Sequence, residues 1–241
     1  MRYLLLVGSE GLAAPQEVAV MRREIPGWTE EMERRGVLLL GRPLDLPQTA
    51  ATVRVRDGET LVTDGPFAET KEFIAGFDLV ECADLDEAIE VAAKGPVSWF
   101  KTIEIRTFAD GPWLGAGAAA FGRGEDRAAR PYLLAVWAGG TAPAPPGDQA
   151  VSREVRAWRQ DLQARGLHIL GAELGTPDTA TTLRVRGGKT LLGDGTFVKT
   201  GQFITGIDVI SCADRQQAIQ FAAAHPAARS LTIEVRPFQN G

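Results

Sequence analysis

Asp64, Lys71 and Glu72 stand within a nine-residue stretch, directly after a strand-like run that carries Arg54 and Arg56. Two carboxylates and an amine at this spacing could exchange a proton with a bound substrate, so these three are the best candidates for acid–base work. Arg54 and Arg56 lie two residues apart, which puts both on one face of a strand, where they could grip a carboxylate or phosphate. Phe67 and Glu69 complete the group, Phe67 as an apolar wall or core anchor. A structural reading stands beside each of these. Asp64 precedes Gly65 and can cap a turn through backbone N–H groups, and the arginines can form an ion-paired, solvated face.

The same group returns further along the chain. TDGPFAETKEFIAGFDLVECAD, starting at Thr63, becomes GDGTFVKTGQFITGIDVISCAD, starting at Gly193, with no insertion or deletion. The offset of 130 residues also carries Trp28 onto Trp158, Arg54 onto Arg184 and Phe108 onto Phe238. A repeat of this length is the size of a domain, so each copy can hold its own core and its own site. The second set is Arg184, Arg186, Asp194, Phe197 and Lys199. It is degenerate: Glu69-Thr70-Lys71-Glu72 has become Lys199-Thr200-Gly201-Gln202. Copy 1 is therefore expected to be the ligand-competent one.

The elements that must position these residues are legible. Each copy opens on an apolar strand, Tyr3 to Val7 and Tyr132 to Val136, followed by a helix. In copy 1 that helix runs from Pro15 to Arg35, where Pro26 can divide it; in copy 2 it runs from Val151 to Arg165. Gly36 and Gly166 stop these helices. A short strand follows, then a hairpin turning at Asp57-Gly58 and at Gly187-Gly188, pairs suited to a two-residue turn. Strands at Phe73 to Cys82 and Phe203 to Cys212 precede helices capped by Asp84 with Glu87 and by Asp214 with Gln217. A last strand ends at Phe108 and at Phe238. This order is an elaborated split βαβ, a ferredoxin-like plait. Such a plait leaves one sheet face bare, so the expected class is α+β, two ferredoxin-like modules packed as an internal pseudo-dimer. Module 1 is read as 1–108, module 2 as 131–241, and the Gly/Ala-rich stretch 109–130 as a mobile linker.

Composition bounds the function. The net charge of −5 disfavours nucleic acid as a partner, and it is shared unevenly: −7 over 1–108, 0 over 109–130 and +2 over 131–241. No apolar run reaches the length of a membrane span or a signal peptide, so a cytoplasmic location is expected and no membrane partner. Cys82 and Cys212 occupy equivalent positions and read as small buried hydrophobes. The two histidines, His168 and His225, both fall in copy 2 and read as structural. No metal-ligand spacing occurs, and no cofactor is called for.

At Asp64-Gly65-Pro66-Phe67-Ala68-Glu69-Thr70-Lys71-Glu72 the chain resembles the YCII-related superfamily, in its DGPF-domain branch. The Arg2-Tyr3-Leu4-Leu5 strand, Thr52 to Gly58, Gly76-Phe77 and the Asp84-to-Ala88 helix start also fit, and the match spans both copies. The resemblance implies a dimeric α/β-barrel type of fold with a small-molecule pocket between helices and sheet. Some relatives of this kind are enzymes with a His-Asp pair, a dehydrochlorinase among them, whereas DGPF members often occur near sigma factors. Copy 1 has no histidine and cannot supply such a pair. The leading expectation is a regulatory or accessory protein that binds a small anionic or aromatic ligand in module 1. The alternatives are a lyase-like or isomerase-like enzyme using Asp64 with Glu72 or Lys71, and an interaction module linked to sigma-factor regulation. Self-association beyond the internal pair is left open.

Overall fold

The computed structural model describes residues 1–67, 72–122, 130–139, 149–198 and 201–239. Copy 1 runs β1 (Arg2–Ser9), α1 (Pro15–Arg34), β2 (Leu38–Pro43), β3 (Ala51–Arg56), β4 (Glu59–Asp64), β5 (Phe73–Glu81), α2 (Leu85–Lys94) and β6 (Thr102–Arg106). Then come β7 (Trp113–Leu114) and α3 (Ala118–Gly122). Copy 2 repeats the order as β8 (Arg130–Gly139), α4 (Gln149–Ala164), β9 (His168–Glu173), β10 (Thr181–Arg186), β11 (Lys189–Asp194), β12 (Gln202–Cys212), α5 (Arg215–Ala224) and β13 (Thr232–Pro237).

The chain is α+β, with two antiparallel sheets. Their strand orders are β11-β10-β6-β1-β5-β2 and β4-β3-β13-β8-β12-β9-β7. The inner four strands of each, β6-β1-β5-β2 and β13-β8-β12-β9, have the ferredoxin-like order, last strand beside first and third beside second. The flanking hairpins are exchanged. β10 and β11, from copy 2, extend the sheet of copy 1 through Leu183 opposite Ile103, while β3 and β4 extend the sheet of copy 2 through Val53 opposite Ile233.

Compact units consequently cut across the repeat. Unit 1 is Met1–Pro43, Thr70–Ala109 and Gly175–Lys199; unit 2 is Leu44–Glu69, Asp110–Leu174 and Thr200–Gly241. The contiguous modules 1–108 and 131–241 mark the sequence repeat, and each compact unit takes its hairpin from the other copy. In unit 1, Leu183 joins the core of Tyr3, Leu5, Val80, Val91 and Ile103. In unit 2, Ala51 and Val53 join Leu134, Leu162, Ile210, Ile233 and Val235.

Local chemistry explains most boundaries. Asp57 and Gly58 take φ of 51° and 80°, and Gly187 and Gly188 take 56° and 73°, the left-handed pair that a two-residue hairpin needs. Asp84 accepts from the Glu87 amide at 2.9 Å and Asp214 from Gln217 at 2.8 Å, so both capping residues act as expected. Pro26 does not divide α1, which is continuous from Pro15 to Arg34. Cys82 and Cys212 are unpaired in the two cores, and burial pushes their thiols up to about 11 and about 12.

From Asp110 onward, the described part of the expected linker is a built part of unit 2. Trp113 and Leu114 pair with Gly171 and Leu170 of β9, and the Gly115 amide donates to the Ile169 carbonyl at 2.8 Å. Phe121 is fully buried, edge-on to Phe238 with ring centroids 4.9 Å apart. Few apolar side chains punctuate 109–122, but Trp113 and Phe121 among them are enough to anchor it.

Candidate functional site

The hairpin exchange redistributes the expected site residues. Arg54, Arg56, Asp64 and Phe67 belong to unit 2, whereas Glu72, Arg184, Arg186, Asp194 and Phe197 belong to unit 1. Asp64 and Glu72 are therefore in different units. Glu69, Lys71 and Lys199 lie outside the described residues. Asp64 is at the exposed end of β4, its side chain 87% accessible, and its carboxylate accepts from Arg215 at 2.6 Å. Arg56, Asp194 and Arg186 are exposed strand-end residues, and Glu72 is partly buried before β5.

Arg54 and Phe67 do meet. The Arg54 guanidinium is 5.1 Å from the Phe67 ring centroid, a cation–π distance, and its Nε donates to Thr232 Oγ1 at 2.6 Å. The Phe67 ring also lies 6.1 Å from that of Trp137. The Phe67 amide donates to Glu234 Oε2 at 3.1 Å, and Glu234 Oε1 accepts from Arg236 at 3.1 Å. Unit 1 repeats the device, with Phe197 donating to Glu104 at 2.9 Å and Glu104 paired with Arg106 at 3.0 Å. Each Glu and Arg here is buried. The Phe of each repeated motif is thus pinned by a charged pair on the last strand of the other copy. The signal was present in sequence as the repeated Thr-Ile-Glu-Ile-Arg and Thr-Ile-Glu-Val-Arg, two like-spaced charges inside apolar strands.

Unit 1 carries a groove of about 260 Å³ beside the Arg184 and Arg186 pair. Lys101 and Thr102 line it with them, as do Glu10 and Glu17. Arg184 pairs with Glu10, Arg186 donates to the Trp99 carbonyl at 2.6 Å, and Lys101 to the Gly11 carbonyl at 3.2 Å. Glu17 accepts from the Ala14 amide at 3.0 Å at the start of α1. Three cations and two carboxylates leave the groove net positive.

A second cluster went unread in the sequence. Asp208 of β12 is fully buried in unit 2, and Arg159 of α4 binds it through two nitrogens, at 2.6 and 3.0 Å. His168 Nε2 is 3.1 Å from Asp208 Oδ1 and His225 Nε2 is 3.4 Å from Oδ2. Burial alone would raise the carboxyl; Arg159 and the two histidines override it and hold Asp208 well below the usual carboxylate range. The His225 Nδ1 accepts from the Ala227 amide at 3.1 Å, and Trp113 and Trp158 pack against the His168 and His225 rings. Gly171 makes the room: a Cβ there would lie 2.5 to 2.7 Å from Asp208, Arg159 and His168. Roofed by these rings, the cluster ties α4, β9 and β12 together. The only hint in sequence was that both histidines of the chain fall in one copy.

Among the described residues no group of three His, Cys, Asp or Glu side chains is placed to hold a metal ion, and no helix is long and apolar enough to cross a membrane. Among curated proteins the chain is 60% identical over 48 residues to "Uncharacterized protein R00369" of Rhizobium meliloti (strain 1021), a match covering 20% of this chain and 39% of that protein. Two solved structures align at 10% identity. "Putative Chlorite dismutase TA0507" has a TM-score of 0.42, covering 99% of this chain and 95% of its own; an anthrone oxidase-like protein has 0.40, covering 99% and 91%. The model of the YCII-related domain matches residues 1–110 and again 133–239, the two copies of the repeat, and the chain belongs to that family as a tandem duplication.

Proposed function

We propose that this chain binds a small anionic metabolite, a carboxylate or phosphate, in the unit 1 groove and serves an accessory rather than catalytic role. The observation that supports this reading is the convergence of Lys101, Arg184 and Arg186 on one groove beside Thr102. Guanidinium groups favour oxyanions because their planar donors match two oxygens at once. The Arg184–Glu10 pair is solvent-exposed, 40% and 60% accessible, so an incoming oxyanion can replace Glu10 at little cost, about 1 kcal/mol or less. Arg54, the copy 1 counterpart, is instead committed to Thr232 and Phe67. The reading therefore places the ligand on the copy 2 arginines, against a sheet from copy 1. Asp64, exposed and paired with Arg215, lends nothing to an acid–base role.

Titration calorimetry against inorganic phosphate and a panel of mono- and dicarboxylates tests this. Arg184→Ala with Arg186→Ala should lower affinity by about tenfold or more, while Arg56→Ala leaves it unchanged. Binding by no member of the panel, or binding indifferent to the double variant, would remove the proposal.

Self-association has its own supporting observation. Edge strands β4 and β11 are exposed along their whole length, and they present Leu61, Val62, Leu191 and Leu192 to solvent. Sedimentation velocity over a concentration series tests it.

A further inference from the structure

The two copies treat one carboxylate differently, partly buried in copy 1 and fully buried in copy 2. Asp78 of β5 is the counterpart of Asp208, displaced by the repeat offset, and both stand on the helix side of their sheets, opposite Leu5 and Leu134. Around Asp208 the chain places Arg159, His168 and His225. The corresponding residues around Asp78 are Thr29, Leu38 and Gly95. All three nitrogen-bearing side chains are gone, and among the described residues none hydrogen-bonds or ion-pairs with Asp78.

From this contrast between Asp208 with its three nitrogen partners and Asp78 with none, we infer that the recess between α1 and the sheet of unit 1 is a binding site for a small organic cation, an alkylguanidinium or alkylammonium group, seated on Asp78. Five observations converge. A buried carboxylate demands a cation or a proton, and the same fold position is filled by a guanidinium in the other copy. The side chain lies over Gly41, where any Cβ would collide with its Oδ1. Asp78 keeps some contact with solvent, whereas Asp208 has none, so Asp78 is within reach of a solute. The helix above it also buries less: Met32 is the buried residue of α1, while Val155, Arg159 and Leu162 of α4 are all buried. Finally, Trp28 stands over Gly95 as Trp158 stands over His225. Its indole Nε1 is buried without a hydrogen-bond partner, and its ring offers a face for a cation. Burial pushes the Asp78 carboxyl up to about 7, as a carboxylate lacking a counter-charge requires. The site is separate from the anion groove and does not depend on it.

The probe is methylguanidinium chloride titrated into the full chain, with sodium chloride at equal ionic strength as control, read by the nitrogen-15 resonance of the Trp28 indole, assigned through Trp28→Phe. Saturable movement of that resonance in the millimolar range is expected. Asp78→Asn should weaken it by about tenfold or more. Thr29→Arg, which returns the guanidinium found in the other copy, should abolish it while raising the melting temperature. A Trp28 signal that does not move with methylguanidinium overturns the inference, as does an unchanged titration in Asp78→Asn or in Thr29→Arg.

Discussion

Replacing Asp78 with asparagine should make the protein more stable, by a margin that grows from pH 5 to pH 8 and vanishes only below the unfolded carboxyl's own titration range. The carboxyl is pushed from its ordinary 3.8 up to about 7 by burial. Below the unfolded value both states hold the proton and burial costs nothing. Between that value and about 7 the folded chain binds one more proton than the unfolded chain, so stability falls as pH rises and levels off once the folded group ionises. A shift of about three pKa units at 1.36 kcal/mol each sets a ceiling of about 4 kcal/mol. Asp78 is partly in contact with solvent, which screens the penalty, and about 2 kcal/mol is the expected loss between pH 5 and 8. Asparagine is isosteric and does not titrate. Urea denaturation of both proteins at pH 5, 6, 7 and 8 gives the difference directly, and titrations elsewhere cancel in it. Parallel stability profiles would show that Asp78 is ionised at no cost, against the absence of a partner cation among the described residues.

Asp208 has the opposite sign. Its folded carboxyl is held low, so its contribution is complete above the unfolded value and drains away as pH falls towards the folded one; Asp208→Asn should cost about 3–5 kcal/mol at pH 7 by leaving Arg159 buried and unpaired, measurable by urea melts. Phe121→Ala should cost about 3–5 kcal/mol by the same assay, because the ring is fully buried on Phe238; a change under 0.5 kcal/mol would return 109–130 to the status of a passive tether. Glu234→Ala should release the Phe67 amide and strand Arg236 in the core, at about 3–5 kcal/mol, with faster amide exchange at Phe67 as the local readout.

How far the candidate site could be read in advance divides along a physical line. Alternate spacing on a strand reads Arg54 and Arg56 as the candidate pair and Arg184 and Arg186 as its degenerate copy, and it is the latter two that line a groove together. What spacing could not reveal is that Lys101 and Glu10, from the other copy, would meet them there. Glu104 with Arg106 and Glu234 with Arg236 look in sequence like the solvated face of an alternating strand, yet all four are buried, because the Phe197 and Phe67 segments lie over them. The Asp208 cluster draws on α4, β9, β12 and the turn after α5, four places far apart in the chain, and no local pattern connects them.

Turns, caps and strand order belong to the sequence alone. Left-handed φ at Asp57-Gly58 and Gly187-Gly188 and the Asp84 and Asp214 caps follow from side-chain chemistry acting over a few residues, and the ferredoxin-like order was legible in the succession of elements. Hairpin exchange was decided only by tertiary structure. Val53 and Leu183 are both apolar residues at the same position of the repeat, and Ile233 and Ile103 are identical, so either hairpin satisfies either sheet edge by composition. Periodicity states that a strand needs an apolar neighbour without stating which copy supplies it. That choice is made by where the intervening segments can reach, with Leu44 bridging to Phe238 and the Asp45 amide bonded to the Pro237 carbonyl. The charge on Asp78 and Asp208 is settled in the same way: the residue is one and the same, and its state depends on whether the fold brings an arginine to it.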